Sequence, residues 1–288
     1  MQILFLQSPS QLASVQSQTN DLVIDRFVKT VQGDFAIVLF GSMEKMQKYI
    51  PTVYTLVWDY CLLYSKTAYQ CTVYPELDPL IDQCSLQWTT CSVSVPCGFP
   101  ASILDSINEA RKKSNQTPIE WVSISCPVFS DEIIPLDVDS TSVYHVKTAC
   151  VGGTFDCLHP GHRILLTLSS LLCDKLIIGL TTDFMLQKKE GHDKIKSYAE
   201  REAIVVSFLH AVKPSLEVVV SPLKDIYGPS VLEPGIEAII VSLETLAGAE
   251  MINKVREEKG MERLKVFTVN RSCKYNLSST FIRQHLES

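Results

Sequence analysis

The second half of the chain alternates short runs of hydrophobic, β-branched residues with longer stretches of helical periodicity. The runs that predict strands are residues 146–151, 175–180, 216–220, 238–242 and 265–269. Each is close to the usual strand length of ~5 to 6 residues. Strands that alternate with helices are typical of parallel sheets built from strand–helix–strand units. The pattern therefore predicts an α/β domain with a doubly wound, five-stranded parallel sheet.

Apolar residues at helical spacing fill the gaps between these strands. One stripe at residues 164, 165, 168, 171 and 172 and another at 204, 205, 208, 209 and 212 each predict a helix with one face against the sheet. Ser197 and Glu200 have the spacing of a capping box, and Pro214 follows the end of the second helix. A third helix around Met251 is expected to stop at Gly260.

The first half of the chain has a less regular pattern that also indicates an α/β domain. Residues 3–6, 35–40 and 119–126 are strand-like, and residues 103–113 have helical spacing. Between the halves, residues 129–142 are acidic, contain Pro135 and lose their periodicity. The sequence predicts an additional N-terminal α/β domain over residues 1–143, ending in an acidic linker, and a second domain over residues 144–288. No internal repeat is visible.

Composition narrows the class of protein. A formal net charge of -6 and a pI near 5.6 argue against a nucleic-acid binder, which usually carries a basic face. The ten cysteines are scattered without a C-x-x-C pair, so buried, reduced thiols are expected. The most apolar stretch, residues 53–64, includes Asp59 and is shorter than the roughly 20 residues of a membrane span. With no basic residue before Arg26, no targeting signal is predicted, and a cytoplasmic protein is expected.

The segment VGGTFDCLHPGH, residues 151–162, lies where the first strand of the second domain should pass into its first helix. Ligands of open α/β sheets bind in the crevice at such strand ends. Gly152 and Gly153 allow a tight turn and close approach of the backbone to a phosphate. Pro160 suits the first turn of a helix, whose free amides form an anion site. The segment therefore predicts a phosphate-binding site.

Two histidines stand at the start of this helix. His159 and His162 are three positions apart, so their rings can point to the same side, and Gly161 between them leaves room for a phosphate. A single histidine here would be explained as a cap or a core residue. Two histidines after G-G-T-F-D at a strand end favour a chemical role.

This segment resembles the G-G-T-F-D-x-x-H-x-G-H signature of the HxGH nucleotidyltransferases. Four later segments match in order: QKKEGHDKIKSYAER resembles a lysine-bearing loop followed by Y-x-E-R, KPSLEVVVSPLKDIYGPS resembles K-P-x-L and D-P-Y-G-P, EAIIVSLET resembles V-S-x-E-T, and NLSSTFIR resembles I-S-S-x-x-x-R. This set is characteristic of phosphopantetheine adenylyltransferases of the eukaryotic coenzyme A synthase and archaeal types. The resemblance covers residues 151–286 and implies a Rossmann-like nucleotidyltransferase domain.

The resemblance implies transfer of the adenylyl group of ATP to 4'-phosphopantetheine, which gives dephospho-coenzyme A and pyrophosphate. The implied catalytic residues are His162, His159 and Lys189, with Lys188 as the near alternative to Lys189. The implied ATP-binding residues are Gly152, Gly153, Thr154, Phe155, His159, His162, Ser278, Ser279, Thr280 and Arg283. The implied substrate-binding residues are Thr154, Lys189 and Tyr227. Magnesium is expected to arrive with ATP, and no metal ligand set of the protein itself is expected.

Some of these residues have simpler explanations that the sequence leaves open. The lysines of residues 188–196 can be a solvated surface, and Ser278 can be a plain helix cap. Ile226, Leu243 and Ala249 depart from the family pattern, which puts ligand contacts near Tyr227 and Glu244 in doubt. No G-x-x-x-x-G-K-[ST] loop of a fused kinase is present, so one activity is expected.

Other functions remain as alternatives. A nicotinamide mononucleotide adenylyltransferase shares S-S-T-x-x-R with residues 278–283, whereas the R-T-x-G-I-S-T-T motif expected of a cytidylyltransferase is absent. A class I aminoacyl-tRNA synthetase needs K-M-S-K-S and is rejected. A catalytically inactive interaction protein is the alternative outside the enzymes. The expected partners are small molecules, with no nucleic acid and no membrane, and no pattern indicates an oligomeric state.

Overall fold

The computed structural model describes residues 2–9, 15–75, 92–96, 99, 101–124, 145–187 and 191–269. Contacts along the chain separate two units, Met1–Val143 and Tyr144–Ser288. Each unit contains a five-stranded sheet in which every pair of neighbouring strands is parallel. The predicted α/β class is confirmed for both halves.

The first unit has the strand order β3-β2-β1-β4-β5. Its strands are β1 Gln2–Gln7, β2 Phe35–Phe40, β3 Cys71–Pro75, β4 Ser92–Pro96 and β5 Glu120–Ile124, and its described helices are α1 Val15–Thr30, α2 Met43–Leu63 and α3 Ala101–Lys113. Every residue of β2 is buried, as expected for a parallel strand covered on both faces.

Four of these elements, α1, α2, β3 and β4, were not predicted from the sequence. Tertiary contacts hold α1 and α2 together: the hydroxyls of Tyr60 and Tyr64 donate to Asp21 and Asp25. Lys66 Nζ donates to three backbone carbonyls at the end of α1. The apolar residues 53–64 belong to α2 and its C-terminal cap. Within the described part of the chain, no helix has the length and hydropathy needed to cross a bilayer.

The second unit has the strand order β10-β9-β6-β7-β8. Its strands are β6 Val146–Gly153, β7 Cys173–Thr181, β8 Glu217–Leu223, β9 Ala238–Ser242 and β10 Lys265–Val269. Its helices are α4 Pro160–Leu172, α5 Asp183–Leu186, α6 Tyr198–Val212 and α7 Leu246–Glu258. All five strands predicted from the hydrophobic runs are present.

Local chemistry fixes the helix ends as the sequence predicts. The Ser197 hydroxyl accepts a hydrogen bond from the Glu200 amide, and the Glu200 carboxylate accepts one from the Ser197 amide at 2.9 Å. Hydrogen bonds from the Ser197 side chain and backbone lower the pKa of Glu200. After α7, Gly260 adopts a φ of 71°, a left-handed conformation that glycine tolerates well.

Candidate active site

The candidate site lies at the carboxyl end of β6, the central strand of the second sheet. β6 pairs with β7 on one side and β9 on the other, so the strand order reverses here. Helices that leave successive strands on opposite faces of a sheet open a crevice at such a point. The sheet thus places residues 151–162 where a ligand can enter.

A strained turn follows β6. Phe155 is fully buried and has a φ of 48°, which is uncommon for a residue with a side chain. Its ring lies against Gly153: a Cβ built on Gly153 would be 2.9 Å from two ring carbons. Gly153 is therefore required for the packing of Phe155, in addition to any contact with phosphate.

The two histidines meet at the start of α4. His159 occupies the N-cap position, and Pro160 supplies the first helical residue. The imidazole rings of His159 and His162 stack with centroids 3.8 Å apart and an interplanar angle of 25°. The rings of Phe155 and His162 pack edge to face, with their centroids 5.1 Å apart. The structure thus brings together three of the residues predicted for the site.

One hydrogen bond defines the tautomer of His162. Its Nδ1 lies 2.7 Å from the Cys157 carbonyl oxygen. Because a carbonyl oxygen only accepts, Nδ1 carries a proton and donates it to this bond. Any contact from this ring to a phosphate then has to come from Nε2. Nε2 can donate only when the imidazole is cationic, since the neutral ring holds its single proton on Nδ1.

Arg201 is a functional candidate that the sequence analysis missed. Its side chain is fully buried and reaches three backbone segments, donating to the carbonyls of Lys196, Thr154 and Thr181 at 2.9 Å each. It also donates to Asp183 at 2.7 Å. Arg201 stands four positions before Val205 on the buried face of α6, so a charge inside an apolar stripe was the available signal.

Asp156 completes this arrangement. Its carboxylate is buried and accepts a hydrogen bond from the Lys196 amide at 3.0 Å. Arg201 holds the carbonyl of the same residue, so two buried side chains bind both backbone polar groups of Lys196. Lys196 ends the lysine-rich segment, and Asp156 follows Phe155 in the turn after β6. The two side chains therefore fasten the end of that segment to the turn that follows β6.

Glycines also shape the adjoining edge of the crevice. A Cβ atom built on Gly179 would lie 2.9 Å from the Leu223 side chain, and one built on Gly228 would lie 2.0 Å from it. A Cβ atom on Gly152 would lie 3.7 Å from the same side chain. The ring of Tyr227 is half-buried and packs against the core cluster around Val231. Tyr227, predicted to contact substrate, thus also has a packing role.

The turn before Gly228 is held by a carboxylate. Asp225 Oδ1 accepts hydrogen bonds from the amides of Tyr227 and Gly228, at 2.8 and 2.7 Å. These two bonds lower the pKa of Asp225. The other predicted site residues, Lys188, Lys189, Ser278, Ser279, Thr280 and Arg283, lie outside the described residues.

A pair of glycine substitutions should separate packing from ligand contact. In Gly153→Ala the new methyl group would meet the buried Phe155 ring, so we expect a loss of roughly 1 to 3 kcal/mol in unfolding free energy. Gly152→Ala is the matched control, because its Cβ would make only ordinary contacts and should change stability by less than about 0.5 kcal/mol. Denaturant titration measures both. Equal stability of the two variants would contradict the assigned role of Gly153.

Comparisons with known proteins agree with this architecture. Residues 150–285 match the cytidylyltransferase-like family. Over half of its length, the chain is 42% identical to phosphopantetheine adenylyltransferase of Saccharomyces cerevisiae, and the match covers 50% of that protein. The chain is 37% identical over 147 residues to the enzyme of that name from Pyrobaculum aerophilum and spans 94% of it. For the Methanopyrus kandleri protein of the same name, the identity is 35% and the coverage 82%.

A solved structure from Archaeoglobus fulgidus, described as a protein of unknown function, is 26% identical, with a TM-score of 0.39 over 46% of this chain and 96% of its own. The archaeal relatives are matched over most of their length, whereas the chain spans about half the length of the yeast relative. The paired histidines at the end of β6 lie within the matched residues. The chain belongs to the phosphopantetheine adenylyltransferase family, with a cytidylyltransferase-like domain in its second unit.

Proposed function

We propose that this protein transfers the adenylyl group of ATP to 4'-phosphopantetheine, giving dephospho-coenzyme A and pyrophosphate. The observation that carries the proposal is the stacked pair His159 and His162 at the start of α4, at the carboxyl end of the central strand. The archaeal and yeast relatives support the acceptor. The motif set of residues 151–286 supports the eukaryotic coenzyme A synthase type.

The chemistry needs two anions to approach each other. The 4'-phosphate of the acceptor attacks the α-phosphorus of ATP, a new P–O bond forms, and pyrophosphate leaves with the electrons of the broken bond. Such transfers depend on positioning and charge neutralisation more than on a covalent intermediate. Free amides at the start of α4 offer partial positive charge to the triphosphate. ATP enters as its magnesium complex, and the ion is part of this substrate.

His162 is assigned to the reacting phosphorus. Nδ1 is held by the Cys157 carbonyl, which fixes the plane of the ring. Nε2 of the cationic ring donates to an α-phosphate oxygen as negative charge builds up on it. This contact is stronger in the transition state than in the ground state, so it raises kcat. His159 lies beside the triphosphate.

The remaining assignments concern the acceptor and the triphosphate. Thr154 and Lys189 orient the attacking phosphate, and Tyr227 lies near the acceptor. Residues 278–280 and Arg283 hold the phosphates of ATP. Arg201 and Asp156 act as positioning residues, because they fasten Lys196 to the turn that contains Thr154.

A pyrophosphate-release assay with a panel of acceptors tests the proposal. With magnesium and ATP, the purified protein should turn over 4'-phosphopantetheine, and nicotinamide mononucleotide should support a rate lower by roughly tenfold or more. CTP should be a poor donor. Equal or faster turnover with nicotinamide mononucleotide would replace the assigned acceptor, and no release with any acceptor would favour an inactive interaction protein.

A further inference from the structure

The two units of the chain have the same strand order. In each, the first strand is central, the second and third lie on one side of it, and the fourth and fifth lie on the other. All pairings in both sheets are parallel. The sequence showed no internal repeat, and the structure reveals one at the level of the fold.

A specific set of contacts joins α3 to the segment that leads into β5. The Asn108 side chain exchanges hydrogen bonds with the backbone of Ile119, eleven residues on, at 3.1 and 2.7 Å. Arg111, 2% exposed, donates from Nε to the carbonyl of Thr117, six residues on, at 2.9 Å. Asn115 follows the helix with a left-handed φ of 56°.

The same set recurs in the second unit. Asn253 exchanges hydrogen bonds with the backbone of Leu264, again eleven residues on, at 3.1 and 2.8 Å. Arg256, fully buried, donates from Nε to the carbonyl of Glu262, six residues on, at 2.7 Å. Gly260 has the left-handed φ. Strand order, residue types and spacing all agree, so α3 and β5 correspond to α7 and β10.

Strand register extends this correspondence to the ligand crevice. The third strand of each sheet carries a proline near its carboxyl end, Pro75 in β3 and Pro222 in β8. In the first sheet, Pro75 pairs with Leu39 of β2, which in turn pairs with Leu6 of β1. In the second sheet, Pro222 pairs with Leu180 of β7, which in turn pairs with Gly153 of β6. Leu6 therefore occupies the position of the second glycine.

The pairing on the other side of the central strand gives the same result. The first residue of β4 pairs with Gln2, and the first residue of β9 pairs with Ala149. Phe5 and Gly152 each stand three residues after these partners, so Phe5 occupies the position of Gly152. Gly152 is exposed in the open crevice of the second unit, whereas Phe5 is fully buried. Gly152, the exposed glycine of one crevice, thus corresponds to a large buried side chain in the other.

Aromatic rings fill the corresponding space in the first unit. The ring centroid of Phe5 lies 5.2 Å from that of Phe40, at the end of β2, and 5.8 Å from that of Phe99, after β4. Phe40 and Phe99 are 5.2 Å apart. All six histidines of the chain lie at His145 or beyond, so residues 1–143 contain none. The sequence of the first unit thus has no histidine, and among its described residues the space that corresponds to the crevice is filled by these rings.

We infer that the first unit is a second copy of the nucleotidyltransferase fold whose crevice is closed by its own phenylalanines. It binds no nucleotide there, and the full chain carries one nucleotide site, in the second unit. Phe5 and Phe40 are core residues, and the half-buried Phe99 packs against both of them, in place of a ligand. The stoichiometry rests on the proposed function of the second unit, whereas the closure of the first crevice does not.

Calorimetric titration of the full chain with magnesium and ATP tests the number of sites. One ATP per chain is expected in the wild type. Gly152→Phe places in the second unit the side chain that Phe5 places in the first, and it should weaken binding by more than about 100-fold. Two ATP molecules per chain, or full binding retained in Gly152→Phe, would overturn the inference. No binding to the wild type would count against the proposed function alone.

Thermal unfolding of first-unit variants tests the closed crevice independently. Phe5→Ala should lower the melting temperature by roughly 5 °C or more, because it leaves a cavity in a core, while pyrophosphate release per folded molecule stays unchanged. The ring of Phe99 is only half-buried, so Phe99→Ala should lower the melting temperature less. This variant replaces Phe5→Ala in the test if Phe5→Ala fails to fold. Unchanged melting temperatures, as expected for rings lining an open ligand cleft, would overturn the inference.

Discussion

His162→Ala is expected to lower kcat by 100- to 1000-fold, about 3 to 4 kcal/mol, with a much smaller change in KM. The estimate follows from the loss of one donor to a charge that develops in the transition state. Steady-state pyrophosphate release measures both constants. A kcat within about threefold of wild type, together with a lower melting temperature, would show that the histidine only caps or packs the helix.

Two amide variants separate the ring nitrogens of His162. An asparagine amide can reproduce the Nδ1 bond to the Cys157 carbonyl but cannot reach the Nε2 position, so His162→Asn should melt close to wild type and remain as inactive as alanine. His162→Gln can donate from near Nε2 and should recover part of kcat. Asparagine activity equal to that of glutamine would contradict the assignment of Nε2.

Protonation gives a further readout of this assignment. Because Nε2 donates only in the cationic ring, wild-type kcat should fall as the pH rises. The glutamine side chain donates without titrating, so the residual kcat of His162→Gln should not fall in the same way. His159, whose ring stacks on His162, is the other histidine in contact, and the profile of His159→Gln controls for its titration.

Arg201→Met is expected to lower the free energy of unfolding by roughly 3 to 5 kcal/mol, a fall in melting temperature of about 6 to 20 °C. Methionine fills similar volume but leaves the part-buried carbonyls of Thr154 and Thr181 without their charged donor. Where Arg201→Met stays folded, KM for the acceptor should rise, because the turn that contains Thr154 loses its attachment. Denaturant unfolding and steady-state kinetics measure the two effects.

Asp183→Asn is the matched control for Arg201. Asp183 is 59% exposed, so its ion pair with Arg201 is screened by water and worth about 1 kcal/mol or less. The amide keeps an acceptor for the guanidinium. If Asp183→Asn were as destabilising as Arg201→Met, the ion pair, and not the backbone carbonyls, would be the source of stability.

The sequence by itself determined most of the second unit. Its strands are apolar runs that parallel sheets bury on both faces, and such runs are visible without any tertiary information. The capping box of Ser197 and Glu200 formed as expected, because its bonds join residues only three apart. The paired histidines were predictable for the same reason: both stand at one strand-to-helix junction.

The first unit was less predictable because its elements depend on distant partners. Helices α1 and α2 are joined by Tyr60 and Tyr64, which donate to carboxylates 39 residues away. Hydrogen bonds over such distances leave no periodic pattern in the chain. Its closed crevice is equally hidden, since nothing local distinguishes Phe5 in an apolar strand from a residue that fills a ligand space.

Only the tertiary structure decided how the site is held. The tautomer of His162 depends on the Cys157 carbonyl, and backbone carbonyls have no sequence signal because every residue has one. Arg201 could be seen only as a charge in an apolar stripe, but its function lies in the three carbonyls that folding brings around it. The sequence determined which chemistry is present, and folding decided which groups orient it, because hydrogen bonds between distant segments form only when packing brings them together.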